Sequence, residues 1–305
     1  MPLTHERAFR VRSYECDAEG RLRPATYLRY MQETAFDATA AGGYDLARYQ
    51  AMGRTWLARE TDLEIAHSPA YGDTVVVKTW VDDFRRVRSR RAYELRLAGS
   101  GALLAEGITD WAFLDSHSQR PAAIPEELKA AFFPEGAPAP APARERFPAA
   151  PPAPPGVYRL WRRVEWQDLD QVRHVNNAAY LDYVEDCAVQ AAVAHGWPPG
   201  RLRAEGLAIV PHRYQIEYRQ PATLNEELAL TTWLSGVQEQ AMYRHFALAR
   251  ASDGAVLVRA RALLVCKDRH TGRRAPLPAA YLAELAPNIA AEPAGAESKE
   301  GDKGA

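Results

Sequence analysis

Three observations predict an α+β chain made of two tandem copies of one unit, each an antiparallel β-sheet wrapped around a long central helix. Residues of distinctive type recur in order at one constant offset along the 305-residue chain. A single Pro/Ala-rich segment separates the two sets. Each set reads as one helix-period stretch followed by several strand-period stretches, which is the signature of helices segregated to one face of an antiparallel sheet.

The offset takes Asp17 to Asp170, and the same shift pairs Tyr27 with Tyr180, Gly43 with Gly196, Gly53 with Gly206 and Glu64 with Glu217. It continues through Trp80 and Trp233, Arg91 and Arg244, Gly101 and Gly254, Asp115 and Asp268, and Pro125 and Pro278. Chance identities are common in an Ala/Arg-rich chain. Trp, Tyr, Gly and Pro repeating without a gap are not, and they indicate duplication of a supersecondary unit.

Within each copy the elements follow in the same order. Apolar residues at helical spacing, Leu28, Met31, Ala35 and Ala38, match Leu181, Val184, Ala188 and Ala191, and the helices end near Gly43 and Gly196. Alternating segments come next, such as TVVVKTW at 74–80, ELALTTW at 227–233 and the run Val256, Val258, Ala260, Ala262, Leu264. A sheet that wraps its own helix is the hotdog arrangement. Residues 1–132 form the first unit and 158–286 the second. Between them residues 133–157, FPEGAPAPAPARERFPAAPPAPPGV, read as an extended, semi-rigid linker. Residues 287–305 lack large apolar side chains and are expected to be a disordered tail.

Composition excludes several classes. No stretch approaches the ~20 apolar residues of a membrane helix, and MPLTHERAFRVRSYE has no apolar core of a signal peptide, so a cytoplasmic protein without a membrane span is expected. Cys16, Cys187 and Cys266 are odd in number and far apart, which argues for reduced thiols and against a zinc cluster. A net charge of -1 gives no general affinity for nucleic acid. Neither a Gly-rich phosphate loop nor a GxSxG elbow occurs, so a serine-triad hydrolase is disfavoured and no cofactor or metal is expected.

The chemistry concentrates in DLDQVRHVNNAAYLDYVE, residues 168–185. This segment resembles the DxDxxxHVNNxxY stretch of hotdog thioesterases. In the first copy RSYECDAEG, YMQETAFD, SPAYGDTVVVKTW and RPAAIPEEL are similar to pieces of plant and bacterial acyl-ACP thioesterases, which are tandem double hotdogs. The resemblance spans roughly residues 8–285 without the linker. It implies hydrolysis of a fatty acyl thioester carried by acyl carrier protein (ACP) or coenzyme A.

The residues suit that reaction. Asp170 is the candidate base that activates water, or a nucleophile, and apolar Leu169 and Val172 beside it favour a raised pKa. His174 is the candidate orienting or polarising group. The N-terminus of the helix starting near Asn176 offers unpaired N–H groups to a developing oxyanion. Asn176 and Asn177 add donors, and one of them is expected to cap the helix; the sequence leaves open which. Glu185 is a helix carboxylate that either faces the site or is solvated.

Two positions depart from the plant enzymes. Val172 stands where they carry Asn, and their downstream Glu falls at or near Pro221 in IEYRQPA, with Gln220 as a possible replacement. In the first copy Asp17 is kept, but Arg21 and Pro24 replace the equivalents of His174 and Asn177, so that site is incomplete. The resemblance assigns this half to the acyl pocket, with Met31 and Trp56 as candidates. The run RRVRSRR at 85–91 suits an acidic carrier protein or coenzyme A phosphates, and equally a solvated hairpin. A tandem chain supplies its own hotdog partner, which permits a monomer and leaves a homodimer open. Two other readings are a noncatalytic acyl-thioester binder and an enoyl-thioester hydratase; the latter usually has four residues between Asp and His, not the three seen here.

Overall fold

The computed structural model describes residues 2–136 and 146–291. The first copy contains β1 (Thr4–Arg10), α1 (Pro24–Ala41), α2 (Leu46–Ala51), β2 (Arg54–Ile65), β3 (Thr74–Phe84), β4 (Arg88–Leu97), β5 (Leu103–Asp115) and α3 (Glu126–Phe132). The second contains β6 (Tyr158–Arg163), α4 (Asn177–Ala194), α5 (Pro199–Ala204), β7 (Leu207–Tyr218), β8 (Glu227–Ser235), β9 (Ala241–Arg250), β10 (Val256–Asp268) and α6 (Ala279–Leu285). Shifted by the offset that takes Asp17 to Asp170, α1, α2, β2, β4, β5 and α3 coincide end for end with α4, α5, β7, β9, β10 and α6.

All ten strands form one antiparallel sheet in the order β1-β3-β4-β5-β2-β7-β10-β9-β8-β6. The copies join where β2 meets β7, in the register Glu60↔Glu217 to Glu64↔Arg213. Strand periodicity sets the inner face: along β3, Val75, Val77, Thr79 and Val81 are buried while the residues between them are not.

The helices α1 and α4 lie against each other inside the curved sheet, tied by Arg29 to Asp182 at 2.5 Å. Their buried faces (Tyr27, Leu28 and Met31; Tyr180, Leu181 and Val184) share one core with Leu63, Val77 and Leu95 of one copy and Ile216, Leu230 and Leu248 of the other. Each large side chain there contributes roughly 1.5–3 kcal/mol. At Gly107 a Cβ would sit 2.6 Å from the Met31 Cε, so this glycine makes room on β5 for the tip of the Met31 side chain.

The chain is packed beyond the expected start of the tail. Asn288 is fully buried and donates through Nδ2 to the carbonyls of Gly156 and Thr232 at 3.0 Å, and Ile289 bridges to Leu234. The tail expected from residue 287 is thus corrected for 287–291: polar Asn288 satisfies two backbone carbonyls that composition does not reveal. The remainder, 292–305, lies outside the described residues. Of the expected linker, 137–145 also lies outside. Phe133, at its start, is buried with Leu128 and Phe132, and Phe147 lies under the Arg259 guanidinium.

Candidate active site

Between β6 and α4 the chain makes a short 3-10 turn, Trp166–Asp168, then a tight loop headed by Asp170. Asp168 closes the turn, accepting the Glu165 N–H at 2.8 Å, and is structural. Asp170 donates its N–H to the His174 carbonyl and accepts the Arg173 N–H on its own carbonyl, both at 2.9 Å. Its Oδ1 accepts the Val172 N–H at 3.0 Å. Burial pushes the Asp170 carboxyl above its usual pKa, while N–H donors from Val172 and His174 and the charge of His174 pull it back. No arginine or lysine pairs with this carboxylate among the described residues.

His174 follows on the same loop, half-buried. Its Nδ1 is shielded from solvent and has no hydrogen-bond partner. A proton on Nε2 avoids burying an unpaired N–H at Nδ1 and gives the ring a donor at its other nitrogen.

The helix begins where its cap dictates. Asn176 Oδ1 accepts the Ala178 N–H at 2.9 Å, so Asn176 is the cap and Asn177 the first helical residue. The other end of the Asn176 amide reaches across the copies, donating to Gln32 Oε1 of α1 at 3.2 Å. The Asn177 carbonyl accepts the Tyr218 hydroxyl at 3.1 Å. Its N–H heads the helix without an intrahelical acceptor, at the positive end of the dipole.

Gln32, Tyr180 and Tyr218 are absent from the sequence-based candidates. Tyr180 accepts the Ala222 N–H at 2.9 Å, and Ala222 in turn accepts the Val175 N–H at 2.9 Å, which stitches the loop after β7 to the Asp170 loop. Burial, with the nearby charges of Glu226 and Asp170, pushes the Tyr180 hydroxyl far above its usual pKa. Tyr180 recurs at the offset and was legible as a marker of duplication; Gln32 is the counterpart of Glu185 and was legible only through the symmetry.

Pro221, at or near which the resemblance puts a downstream carboxylate, offers only its carbonyl, to Arg250 Nη2 at 3.3 Å. Gln220 is exposed, and its N–H donates to the Leu257 carbonyl at 3.2 Å. A carboxylate does lie further along this loop: Glu226 Oε1 is 3.3 Å from Arg250 Nε, and Glu226 Oε2 is buried without a partner.

The equivalent loop of the first copy has the same backbone and the opposite electrostatics. Asp17 Oδ1 accepts the N–H groups of Glu19 and Arg21 at 2.8 and 2.9 Å, and its Oδ2 is 3.0 Å from Arg21 Nη2. Glu19 is latched to Arg203 at 3.2 Å and Arg269 at 2.7 Å, both from the second copy. Glu185 faces this side, accepting from the Tyr214 hydroxyl at 3.5 Å. Burial, then the charges of Asp182 and Asp17, push its pKa up to about 8.

Met31 and Trp56 fall in different apolar clusters: Met31 in the shared core, Trp56 against Phe113 at 4.7 Å in a smaller cluster beneath α2 and α3. The basic run is the β3–β4 hairpin. Arg85 pairs with Asp83, Arg90 with Asp110, and Arg91 is buried against Phe132; Arg86 and Arg88 remain exposed. Among the described residues no group of three His, Cys, Asp or Glu side chains is placed to hold a metal, and no helix is long and apolar enough to cross a membrane.

The two halves match different family models: the acyl-ACP thioesterase N-terminal domain over residues 2–132 and the thioesterase-like superfamily over residues 164–285. The first copy thus matches the acyl-ACP thioesterase family, and the second a broader thioesterase-like superfamily. An acyl-[acyl-carrier-protein] hydrolase of Cuphea viscosissima is 24% identical over 271 residues, 85% of this chain and 62% of the relative. A palmitoyl-acyl carrier protein thioesterase of Arabidopsis thaliana is also 24% identical, over 85% of this chain and 63% of its own. The chain thus spans about three fifths of the length of these curated relatives. Among solved structures, the 12:0-ACP thioesterase of Umbellularia californica superposes with a TM-score of 0.67 at 21% identity, covering 87% of this chain and 95% of that one. A structure described as an oleoyl thioesterase of Lactobacillus plantarum gives 0.73 at 19% identity, covering 87% and 96%. These likenesses establish the double-hotdog fold.

Proposed function

We propose that this chain hydrolyses fatty acyl-ACP thioesters at the Asp170 loop of the second copy. The observation that carries the reading is the contrast between two equivalent aspartates. Asp170 is partly buried, raised in pKa and paired with no arginine or lysine among the described residues, whereas Asp17 is held by Arg21. In the proposed reaction Asp170 takes a proton from water as its oxygen adds to the thioester carbon. The charge that develops on the carbonyl oxygen is met by the Asn177 N–H and the His174 Nε2–H. The C–S bond then breaks, the leaving thiolate takes the proton from Asp170, and the free fatty acid and thiol leave. The match of residues 2–132 to the acyl-ACP thioesterase model and the printed activities of the relatives support acyl-ACP as the substrate.

A second reading, binding without turnover, draws support from Pro221 standing at or near the place where the resemblance puts a downstream carboxylate. A thiol-release assay on acyl-ACP and acyl-CoA, with wild type beside Asp170→Asn, decides between them. Turnover that vanishes in the variant supports hydrolysis; equal background rates from both proteins sink it.

A further inference from the structure

The two copies share a backbone but differ at the mouths of their loops. Gly20, at φ 77°, closes the first-copy turn with its N–H on the Asp17 carbonyl at 3.0 Å. Arg173 closes the second with the same bond at 2.9 Å, yet does so at φ 62°, a left-handed conformation that disfavours a side chain. The turn therefore does not need arginine, and glycine would suit it better. Arg173 is exposed and pairs with no carboxylate among the described residues; the same holds for Arg163 at the end of β6.

Beside Arg173, Val172 is 43% exposed, and Trp166, on the turn that leads into the loop, is 78% exposed. Their first-copy counterparts are Ser13 at the turn and, at the loop tip, Glu19, which is latched to Arg203 and Arg269. The first copy exposes aromatic residues of its own, Tyr14 and Tyr71, so apolar exposure alone does not separate the two mouths. What separates them is an unlatched tip that carries a free cation next to apolar surface.

We propose that Trp166, Val172 and Arg173, with Arg163 behind them, form the docking surface for the acidic carrier protein that presents the acyl chain on its phosphopantetheine arm. The inference rests on the hydrolase reading, because it assumes that the thioester enters beside Asp170. Charge complementarity selects the occupant. Unpaired arginines steer and hold an acidic protein and the arm's phosphate, while Trp166 supplies an aromatic anchor. A lipid surface fits less well, since the rim lies on two short turns and not on an amphipathic helix.

The test is a titration of the full chain with holo and acylated carrier protein, using wild type, Trp166→Ser and Arg173→Gly, each substitution installing the first copy's residue. Together they are expected to weaken binding about tenfold and to flatten its salt dependence. Trp166→Ser alone should leave turnover of a small acyl-pantetheine thioester within about twofold of wild type. Arg173→Gly keeps the fold, since Gly20 makes the same turn. Unchanged carrier binding overturns the proposal, as does equal loss on the small thioester. So does binding to anionic phospholipid vesicles that the substitutions abolish while carrier binding persists. Because binding is read without turnover, a chain that hydrolyses nothing defeats the proposed function and still reports on docking.

Discussion

Replacing Asp170 by Asn leaves an oxygen to accept the Val172 N–H, so the loop should survive while the base is lost. The expected outcome is a fall in thiol release of about 100-fold or more with an unchanged circular dichroism spectrum. Because the deprotonated carboxylate is the active form, activity should fall as pH drops through the Asp170 pKa. Burial moves that limb upward from where a solvated aspartate would put it, and a pH–rate profile locates it. Glu185 gives a separate readout, in stability. Its folded pKa of about 8 lies above the unfolded value near 4.5, so the native state holds the proton more tightly. That contribution is complete below pH ~4.5 and is lost as pH rises through about 8. Denaturant unfolding at pH 5.5 and 8.5 should show wild type losing on the order of 2 kcal/mol that Glu185→Gln retains at both. Asp170 and His174 were legible in the sequence because their chemistry lies within one turn of chain. Gln32 and Tyr218 were not, because each meets the site only through packing across elements.

The start of α4 is the element on which the site depends. Asn176 both caps the helix and bonds to Gln32 of α1, so Asn176→Ala removes two interactions at one terminus. A loss of about 1–2 kcal/mol is expected in denaturant titration, with a smaller change for Asn177→Ala, whose contact with Tyr218 uses the backbone carbonyl. The sequence offered two adjacent asparagines and no means of choosing, since propensity favours either at the cap; the Ala178 N–H makes the choice. The RRVRSRR segment shows the converse. Its composition suited a binding strip and a solvated hairpin equally; Arg85 pairs with Asp83 two residues back, Arg90 with Asp110 across the β4–β5 register and Arg91 turns inward, while Arg86 and Arg88 stay exposed, a division that composition could not disclose.

At the scale of the molecule, the duplication was legible almost completely, because the copies keep their elements in step without insertion. The single ten-stranded sheet was not, since nothing local announces that β2 pairs with β7. That junction carries an ionic clasp on its face, Arg213 to Asp62 at 2.8 and 2.7 Å, and α1 and α4 bury their apolar sides in one core. Residues 1–136 or 146–305 produced alone should therefore be insoluble or unfolded, while the two co-produced should assemble into a one-to-one complex on size exclusion. Two soluble, independently melting halves would contradict the shared core. Fusion of the copies has a further consequence. In a dimer of identical hotdogs any change at one mouth is imposed on the other, so neither can specialise without altering both. Here Gly20 and Arg173, like Arg21 and His174, are free to diverge at equivalent places, and one gene can hold an asymmetry that a homodimer is barred from encoding.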